Sequence, residues 1–223
     1  MSDIVMEVKN ISRTYHTSEV AVEALKPCDL SFERGEFVAV VGKSGSGKTT
    51  LLKILGTLET PDQGELLLGG ESILNLKDAD LSRIRRRKIG FIYQDYSLFG
   101  EYTAYENIIL PIRLDDRKED REEVEKIMED LGITHCRDKF PNEMSGGEQQ
   151  RTAIARALAI HPQVILADEP TGNLDAENSL EVIQMLSRAS RIYDQTIIMV
   201  THDKEAADYA DRVIRISDGV VSQ

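Results

Sequence analysis

A glycine-rich segment near the start of the chain constrains the fold more than any other feature. Residues 42–49 read GKSGSGKT and lie between the apolar run Phe37–Val41 and the helix-like residues 50–56. A strand, a glycine-rich turn and a helix in this order form a phosphate-binding loop, because glycines let backbone N–H groups approach phosphate oxygens and a helix N-terminus attracts anions. The pattern therefore predicts a polyphosphate ligand.

Residues 42–49, called the phosphate loop below, supply most of the predicted ligand contacts. Lys48 is predicted to lie against the β- and γ-phosphates, and the Thr49 hydroxyl to coordinate Mg²⁺. The alternative, a glycine-rich turn with a solvated lysine, is disfavoured by the strand and helix on either side. The predicted contacts are Gly42, Lys43, Ser44, Gly45, Ser46, Gly47, Lys48, Thr49 and Thr50.

Short β-branched runs alternate with helix-like segments along the rest of the chain. Such apolar strands between helices are typical of a parallel sheet covered on both faces, and thus of an α/β fold. Alternating strands and turns before residue 70 indicate a further β-rich lobe. The predicted strands are residues 37–41, 164–167, 196–200 and 213–216, and the predicted helices are residues 50–56, 122–131, 149–160 and 176–190.

Charge and hydropathy disfavour two classes of function. The formal net charge of -12 opposes binding to nucleic acid, which depends largely on neutralising phosphates. No apolar run approaches the roughly 18 residues of a membrane-spanning helix, and the first ten residues lack a secretory signal. We expect a cytoplasmic protein whose membrane role, if any, comes through a partner.

Both cysteines and three of the four histidines lie outside any sequence pattern that is typical of a metal, redox or catalytic site. Cys28 and Cys136 follow no metal or redox spacing, so both are predicted to be reduced, ordinary thiols. His16, His135 and His161 also lack a motif and are predicted to be bystanders. The basic run at residues 83–88 has two interpretations, a solvent-facing helix end or a contact with anionic lipid or an acidic partner.

A pair of carboxylates follows the second predicted strand of the sheet. Asp168 and Glu169 come directly after the apolar residues 164–167. In an open α/β sheet, ligands bind at the carboxyl ends of the strands, where this pair would emerge. Asp168 suits Mg²⁺ binding, and Glu169 suits orienting and polarising a water molecule.

Residues 144–151, which read MSGGEQQR, resemble the signature motif of ABC ATPases. The other markers of that family occur in the family's order, and the resemblance covers essentially the whole chain. Those markers are Tyr15, the phosphate loop, Gln94, Ser145, Asp168 with Glu169, Asp175 and His202.

The resemblance implies a P-loop NTPase core with a mainly parallel sheet, an N-terminal antiparallel β lobe and an inserted helical lobe. The chain is then one ABC ATPase domain over residues 1–223. The β lobe and first part of the core occupy residues 1–94, the helical lobe 95–160, and the remainder of the core 161–223. ATP and Mg²⁺ are the implied cofactors, and phosphoryl transfer to water is the implied reaction.

The family resemblance implies roles around the nucleotide for Tyr15, Gln94 and His202. Tyr15 would stack on adenine, the alternative being a strand tyrosine packed on the core. Gln94 would touch Mg²⁺ and the attacking water and join the core to the helical lobe. His202, which follows the apolar residues 196–200, would contact the γ-phosphate and help to hold the water.

The signature motif implies a second copy of the chain. Ser145, Gly146, Gly147 and Glu148 would close over the γ-phosphate bound to the opposite subunit, and Asp175 would lie in the loop that crosses the dimer interface. Two positions depart from the family pattern, with Glu148 in place of a glutamine and Gly172 in place of a serine or alanine. A carboxylate at position 148 would place negative charge near an anion.

The sequence EPTGNLD at residues 169–175 and the spacer at residues 16–23 resemble one subgroup, the ATPases of macrolide export, lipoprotein release, antimicrobial-peptide resistance and the cell-division permease. This implies a membrane permease as partner and a peripheral position on the inner face of the membrane. Tyr96, Leu98 and Phe99 would either contact that partner or belong to the core of the helical lobe. The alternatives are a soluble ATPase acting on ribosomes or chromosomes, and a division or signalling module without transport.

Overall fold

An antiparallel sheet forms the first lobe of the chain. The computed structural model describes residues 3–16 and 21–222, so residues 17–20 of the spacer noted above lie outside it. The strand order is β2-β1-β4-β5, which confirms the predicted β lobe. Its strands are β1 (Ile4–His16), β2 (Ala21–Glu33), β4 (Gln63–Leu68) and β5 (Glu71–Ser72).

A six-stranded sheet forms the centre of the molecule, in the order β10-β9-β3-β8-β7-β6. All neighbouring pairs are parallel except β10 with β9. The carboxyl ends of β3, β7 and β8 therefore meet at one edge, as the sequence predicted. The strands are β3 (Phe37–Val41), β6 (Ile89–Ile92), β7 (Val164–Asp168), β8 (Thr196–Thr201), β9 (Arg212–Ser217) and β10 (Val220–Ser222).

Alternate residues of β3 enter two different cores. Val38 and Val40 belong to a core shared with β1, β2, β4 and α1, whereas Phe37 and Ala39 belong to a core shared with the helical lobe. Successive strand residues point to opposite faces, so burial of both faces requires a continuous apolar run. The helices are α1 (Lys48–Leu55), α2 (Asp78–Arg87), α3 (Ala104–Arg113), α4 (Arg121–Asp130), α5 (Gly146–Leu158), α6 (Ala176–Ile192) and α7 (Lys204–Ala207).

Helix α5 begins at Gly146, earlier than the predicted residue 149. The reason is a capping box at its N-terminus. The Glu148 N–H donates to Ser145 Oγ (3.3 Å), and the Ser145 N–H donates to Glu148 Oε2 (2.7 Å). Because this pairing satisfies two N-terminal amides, the helix can include both glycines of the signature motif.

The basic run at residues 83–88 is paired within the chain. Arg87 Nε donates to Asp115 Oδ2 over 2.6 Å, and Arg86 and Arg117 also form ion pairs with this carboxylate. Arg85 Nη1 donates to the Thr57 carbonyl oxygen (3.1 Å). The run therefore ties α2 to neighbouring segments. None of the helices in residues 3–16 and 21–222 has the length and apolar character needed to cross a membrane.

Candidate functional site

The phosphate loop turns directly from β3 into α1. Gly47, the N-cap of α1, has φ 111°, a backbone conformation that residues with a side chain rarely adopt. A Cβ atom at this position would lie 2.1 Å from the Ala24 carbonyl oxygen, so the loop packs against β2 without room for a methyl group. Glycine is thus required at position 47 by both backbone and space.

The polar groups of the phosphate loop, which are the side chains of Lys48 and Ser46 and the N-terminus of α1, have only part of their hydrogen-bonding capacity used. Lys48, which is 5% exposed, donates from Nζ to the carbonyl oxygens of Gly42 and Lys43 (2.9 and 3.0 Å). Among the residues that the structure describes, the buried Ser46 Oγ has no hydrogen-bond partner. Helix α1 has no acidic residue in its first turn, and no side chain in residues 3–16 and 21–222 caps it. An uncapped N-terminus beside a buried ammonium group fits a polyphosphate.

The Asp168 carboxylate lies where β7 ends, close to the phosphate loop. Burial raises the pKa of Asp168, the neighbouring charge of Glu169 raises it further, and Lys53 and Lys48 oppose the shift. Thr49 exposes its side chain at the start of α1. Two adjacent carboxylates and a hydroxyl offer the oxygen ligands that Mg²⁺ prefers, so these residues fit the ion.

Glu169 has an unusual backbone conformation for a residue with a side chain. Its φ is 44°, and its N–H donates to the Val200 carbonyl oxygen of β8 (2.9 Å). Left-handed residues other than glycine are uncommon and concentrate at functional sites. His202, just beyond β8, places Nδ1 3.0 Å from Glu169 Oε2. The structure thus brings together two predicted site residues that lie 33 positions apart in the chain.

Gln94 follows β6 and is fixed by the loop after β7. Its Nε2 donates to Asn173 Oδ1 (3.2 Å), and Asn173 Nδ2 donates back to the Gln94 carbonyl oxygen (2.9 Å). A Cβ atom at Gly172 would lie 2.6 Å from Gln94 Nε2. The glycine that departs from the family pattern therefore leaves room for the Gln94 side chain.

The segment after Gln94 is held by a buried arginine that the sequence analysis missed. Arg156 of α5 donates from Nη1 to the Ser97 carbonyl oxygen (2.6 Å) and from Nη2 to that of Tyr96 (2.8 Å). Both acceptors have positive φ, 62° at Tyr96 and 45° at Ser97. Burial lowers the pKa of Arg156. A charged residue within the apolar run at residues 152–160 was the available signal for this role.

Asn107 of α3 supports the same segment from its other end, and it was also missed. Its Nδ2 donates to the carbonyl oxygens of Phe99, Tyr102 and Thr103, and its Oδ1 accepts from the Phe99 N–H (2.8 Å). The side chain is fully buried. An asparagine directly before apolar helix residues such as Ile108 and Ile109 marks this kind of satisfied polar group only weakly in a sequence.

The start of the signature motif contacts Tyr96 and Asn178 and not the phosphate loop. It is called the Ser145 turn below and consists of Ser145, Gly146, Gly147 and Glu148. A Cβ atom at Gly146 would lie 3.0 Å from the Tyr96 hydroxyl oxygen, and one at Gly147 would lie 2.6 Å from Asn178 Oδ1. Ser145 is exposed. In the described part of the chain, no hydrogen bond joins this turn to the phosphate loop.

The Glu148 carboxylate is engaged by donors of its own chain. Its Oε2 accepts from the Ser145 N–H, and its Oε1 lies 2.6 Å from His135 Nε2 and 3.4 Å from Lys139 Nζ. The Ser145 N–H, with help from Cys136 and His135, holds the pKa of Glu148 well below its usual range. These donors offset the negative charge of Glu148, which the sequence predicts to lie near the γ-phosphate.

Tyr15 and Asp175 occupy positions consistent with, but not specific to, their predicted roles. The Tyr15 hydroxyl donates to Glu59 Oε2 (2.6 Å) and lies 3.4 Å from Thr50 Oγ1, so it sits beside α1. Asp175 caps α6, where its Oδ1 accepts from the Asn178 N–H (2.9 Å). Adenine stacking by Tyr15 and an interface role for Asp175 remain predictions.

Curated relatives resemble the chain over nearly its full length. A lipoprotein-releasing system ATP-binding protein of Geobacter metallireducens is 42% identical and covers 97% of each sequence. A bacitracin export ATP-binding protein of Halalkalibacterium halodurans is 41% identical over 97% of this chain and 87% of its own. A macrolide export ATP-binding/permease protein of Chlorobaculum tepidum is 45% identical over 97% of this chain, which spans only 33% of that relative's length.

A solved structure and a family model agree with these relatives. The dimeric post-hydrolysis state of the ATP-binding cassette MJ0796, bound to ADP and Pi, matches with a TM-score of 0.86 and 39% identity over 98% of this chain and 97% of that one. The model of the ABC transporter family matches residues 25–172, which include the phosphate loop, the Ser145 turn and the carboxylate pair. The chain therefore belongs to the ABC transporter family, as an ATP-binding and ATP-hydrolysing cassette.

Proposed function

We propose that two copies of this chain enclose MgATP at a shared interface and use its hydrolysis to drive a membrane permease of an export or release system. The observation that carries the proposal is that the phosphate loop and the Ser145 turn contact different parts of the chain. The phosphate loop packs against β2 and β9, whereas the Ser145 turn packs against Tyr96 and Asn178. A second copy would supply the Ser145 turn that each phosphate loop lacks.

Each phosphate loop would hold the triphosphate through its backbone amides, Lys48 and the N-terminus of α1. The Lys48 ammonium group donates hydrogen bonds to two carbonyl oxygens of the loop, and phosphate oxygens would replace them as acceptors. The tight contact of Gly47 with β2 keeps the loop in shape before ligand binds. Tyr15 would supply a flat surface for adenine beside α1.

Thr49, Asp168 and Gln94 would hold Mg²⁺. The ion supplies charge neutralisation for the phosphates when bound. The raised pKa of Asp168 supports this assignment, because a carboxylate that burial and a neighbouring charge make unfavourable gains most from a cation. Gln94 is oriented by Asn173, and Gly172 leaves space for its side chain.

Glu169 would orient and polarise the attacking water, with His202 positioned beside the γ-phosphate. The 3.0 Å contact between their side chains supports a joint role, because each side chain limits the rotation of the other. The N–H of Glu169 is tied to β8, which keeps the carboxylate at the sheet edge. No covalent protein intermediate is needed, since positioning and charge stabilisation supply most of the acceleration.

A groove beside the Gln94 segment is the proposed contact with the permease. Phe99 and Leu114 line it and are 50% and 64% exposed, and the partly exposed Pro111 and the buried Ile160 also line it. Tyr96 and Leu98 are not among its lining residues, and Leu98 packs on the lobe core. Arg156 and Asn107 connect this groove to the backbone after Gln94, so movement at the groove would reach the nucleotide.

Mixed dimers test the shared site. A Ser145→Arg chain keeps its phosphate loop, and a Lys48→Ala chain keeps its Ser145 turn, so each mixed dimer would retain one complete composite site. Either variant alone should be inactive, and mixing them should restore part of the hydrolysis. If folded variants gave no recovery although mixed dimers formed, sharing between copies would be wrong.

Co-purification tests the permease contact. Tagged subunits carrying Phe99→Glu should recover less integral-membrane protein from detergent-solubilised membranes than the wild type, because a charge in an apolar contact is costly. Ile192→Glu is the matched control, since Ile192 is also exposed, at 58%, but lies at the end of α6. Equal loss for both variants, or for neither, would contradict the groove assignment.

A further inference from the structure

Three side chains of different ligand types converge beside the Ser145 turn. His135 and Cys136 lie on the 3-10 turn Thr134–Cys136, and Glu148 lies in the first turn of α5. His135 Nε2 and Cys136 Sγ are 2.6 and 3.1 Å from the same oxygen, Glu148 Oε1. The potential ligand atoms of this group, called the 135–148 cluster, all lie within 4.8 Å of one another.

We propose that the 135–148 cluster is a binding site for a zinc-type divalent cation, held by His135 Nε2, Cys136 Sγ and Glu148 Oε1. An imidazole nitrogen, a thiolate and a carboxylate are the ligands that Zn²⁺ takes in proteins, and three of them leave a fourth position for water. Mg²⁺ prefers oxygen ligands alone, so this site is chemically distinct from the nucleotide-linked magnesium.

Binding of a cation would exchange the proton of the Cys136 thiol for the metal ion. Donors surround one carboxylate oxygen, Glu148 Oε1, and a bound cation would take their place. The Cys136 thiol donates a hydrogen bond to Glu148 Oε1 (3.1 Å), so its sulfur carries a proton in this arrangement. A bound cation favours the thiolate, and that proton leaves to solvent. Thiolate and carboxylate then balance the two positive charges.

The 135–148 cluster is open to solvent, and Lys139, whose ammonium group would compete with a cation at Glu148, can move away. The His135 side chain is 59% exposed, which gives an entry path, whereas Glu148 is 14% exposed and Cys136 is buried. Lys139 Nζ lies 3.4 Å from Glu148 Oε1 and would repel a cation there. Its side chain is 36% exposed on a flexible stem, so the ammonium group can turn into solvent.

The backbone that carries the ligands is anchored to the helical lobe. The Ala104 N–H donates to the Lys139 carbonyl oxygen (2.9 Å), and the Tyr105 N–H donates to that of Arg137 (3.1 Å). On the other side, Glu148 Oε2 accepts from the Ser145 N–H. A metal ion on Oε1 would therefore hold the capping carboxylate of the Ser145 turn from its opposite oxygen.

Cobalt titration of the metal-free, nucleotide-free full chain tests this site. We expect one Co²⁺ per chain with a thiolate-to-cobalt charge-transfer band in the near ultraviolet, displaced by Zn²⁺, and release of a proton on binding. His135→Ala and Cys136→Ser should each weaken binding by at least about tenfold, which equals about 1.4 kcal/mol. Cys28→Ser is the matched control, because Cys28 is buried outside the cluster, and it should leave the titration unchanged.

Specific outcomes would overturn the proposal. These are absence of the band in the wild type, its loss in Cys28→Ser, or unchanged affinity in His135→Ala, whose exposed side chain folding does not require. Unchanged affinity in Glu148→Gln would remove the carboxylate from the ligand set and overturn the three-ligand site. Because nucleotide is absent, these results do not depend on the proposed ATP-driven function.

Discussion

The imidazole of His202 lies 3.0 Å from the carboxylate of Glu169, across the ends of two neighbouring parallel strands. Glu169 reaches this position with a left-handed backbone, φ 44°, directly after β7. The contact joins the two side chains that the proposed mechanism places around the attacking water. It also provides a basis for separating hydrolysis from nucleotide binding.

Glu169→Gln and His202→Ala should each reduce ATP hydrolysis while preserving nucleotide affinity. The phosphate loop is intact in both variants, whereas orientation and polarisation of the water are lost, with an expected decrease in kcat of about 10²- to 10⁴-fold. Turnover and equilibrium nucleotide binding measure the two effects separately. Wild-type turnover in Glu169→Gln would refute its role as the polarising group.

Gly172→Ala should impair hydrolysis more than stability. The new methyl group would lie 2.6 Å from Gln94 Nε2 and displace that side chain from Asn173. We expect about a tenfold lower turnover, equivalent to about 1.4 kcal/mol, and a change in unfolding free energy within about 1 kcal/mol. Gly100→Ala is the control, because a Cβ atom there has no described residue within 4 Å beyond its chain neighbours. Equal turnover in both variants would contradict the steric argument.

Asn107→Leu should destabilise the helical lobe. The substitution removes the acceptor of the Phe99 N–H and the side-chain donor to three carbonyl oxygens. The main loss falls on the Phe99 N–H and the Tyr102 carbonyl oxygen, because the carbonyl oxygens of Phe99 and Thr103 also accept from the N–H groups of Tyr102 and Asn107. We expect a loss of about 3 kcal/mol in unfolding free energy, measured by urea denaturation. The exposed Asn142→Leu should change it by less than about 0.5 kcal/mol. A loss of similar size in both would remove the special role of Asn107.

Asp115→Asn should lower stability near neutral pH and leave it unchanged in acid. The hydrogen bond from Arg87 holds the pKa of Asp115 below its ordinary value of 3.8, so this stabilisation is complete above that value and is lost as the pH falls through the folded-state pKa. We expect a deficit of about 1–2 kcal/mol at neutrality. Urea denaturation across pH measures it.

Asp116→Asn serves as the neighbouring control for that experiment. Asp116 is exposed and has φ 53°, a conformation that asparagine accepts readily, so the substitution removes a charge without straining the backbone. It should leave stability nearly unchanged at every pH. A deficit in Asp115→Asn that persisted well below pH 3.8 would show that packing, not charge, is responsible.

Elements defined by short-range patterns were predictable from the sequence. Glycines and a lysine between an apolar strand and a helix identify the phosphate loop, since backbone geometry and local charge require those residue types at adjacent positions. Four of the six strands of the central sheet, β3, β7, β8 and β9, were predicted to within one residue at each end. For β3, β7 and β8 the reason is that burial on both faces demands a continuous apolar run. The start of α5 was misplaced because a capping box can begin a helix with two glycines.

Contacts between distant segments had no equivalent signal in the sequence. The roles of Arg156 and Asn107 depend on which carbonyl oxygens the fold leaves unpaired, and the room at Gly172 depends on where Gln94 lies. The convergence of His135 and Cys136 on Glu148 is likewise set by the packing of a 3-10 turn against α5. The sequence alone determined the ligand chemistry and the strand pattern, because both follow from neighbouring residues. Only the tertiary structure decided how these side chains are supported, since hydrogen-bond partners far apart in the chain meet only after folding.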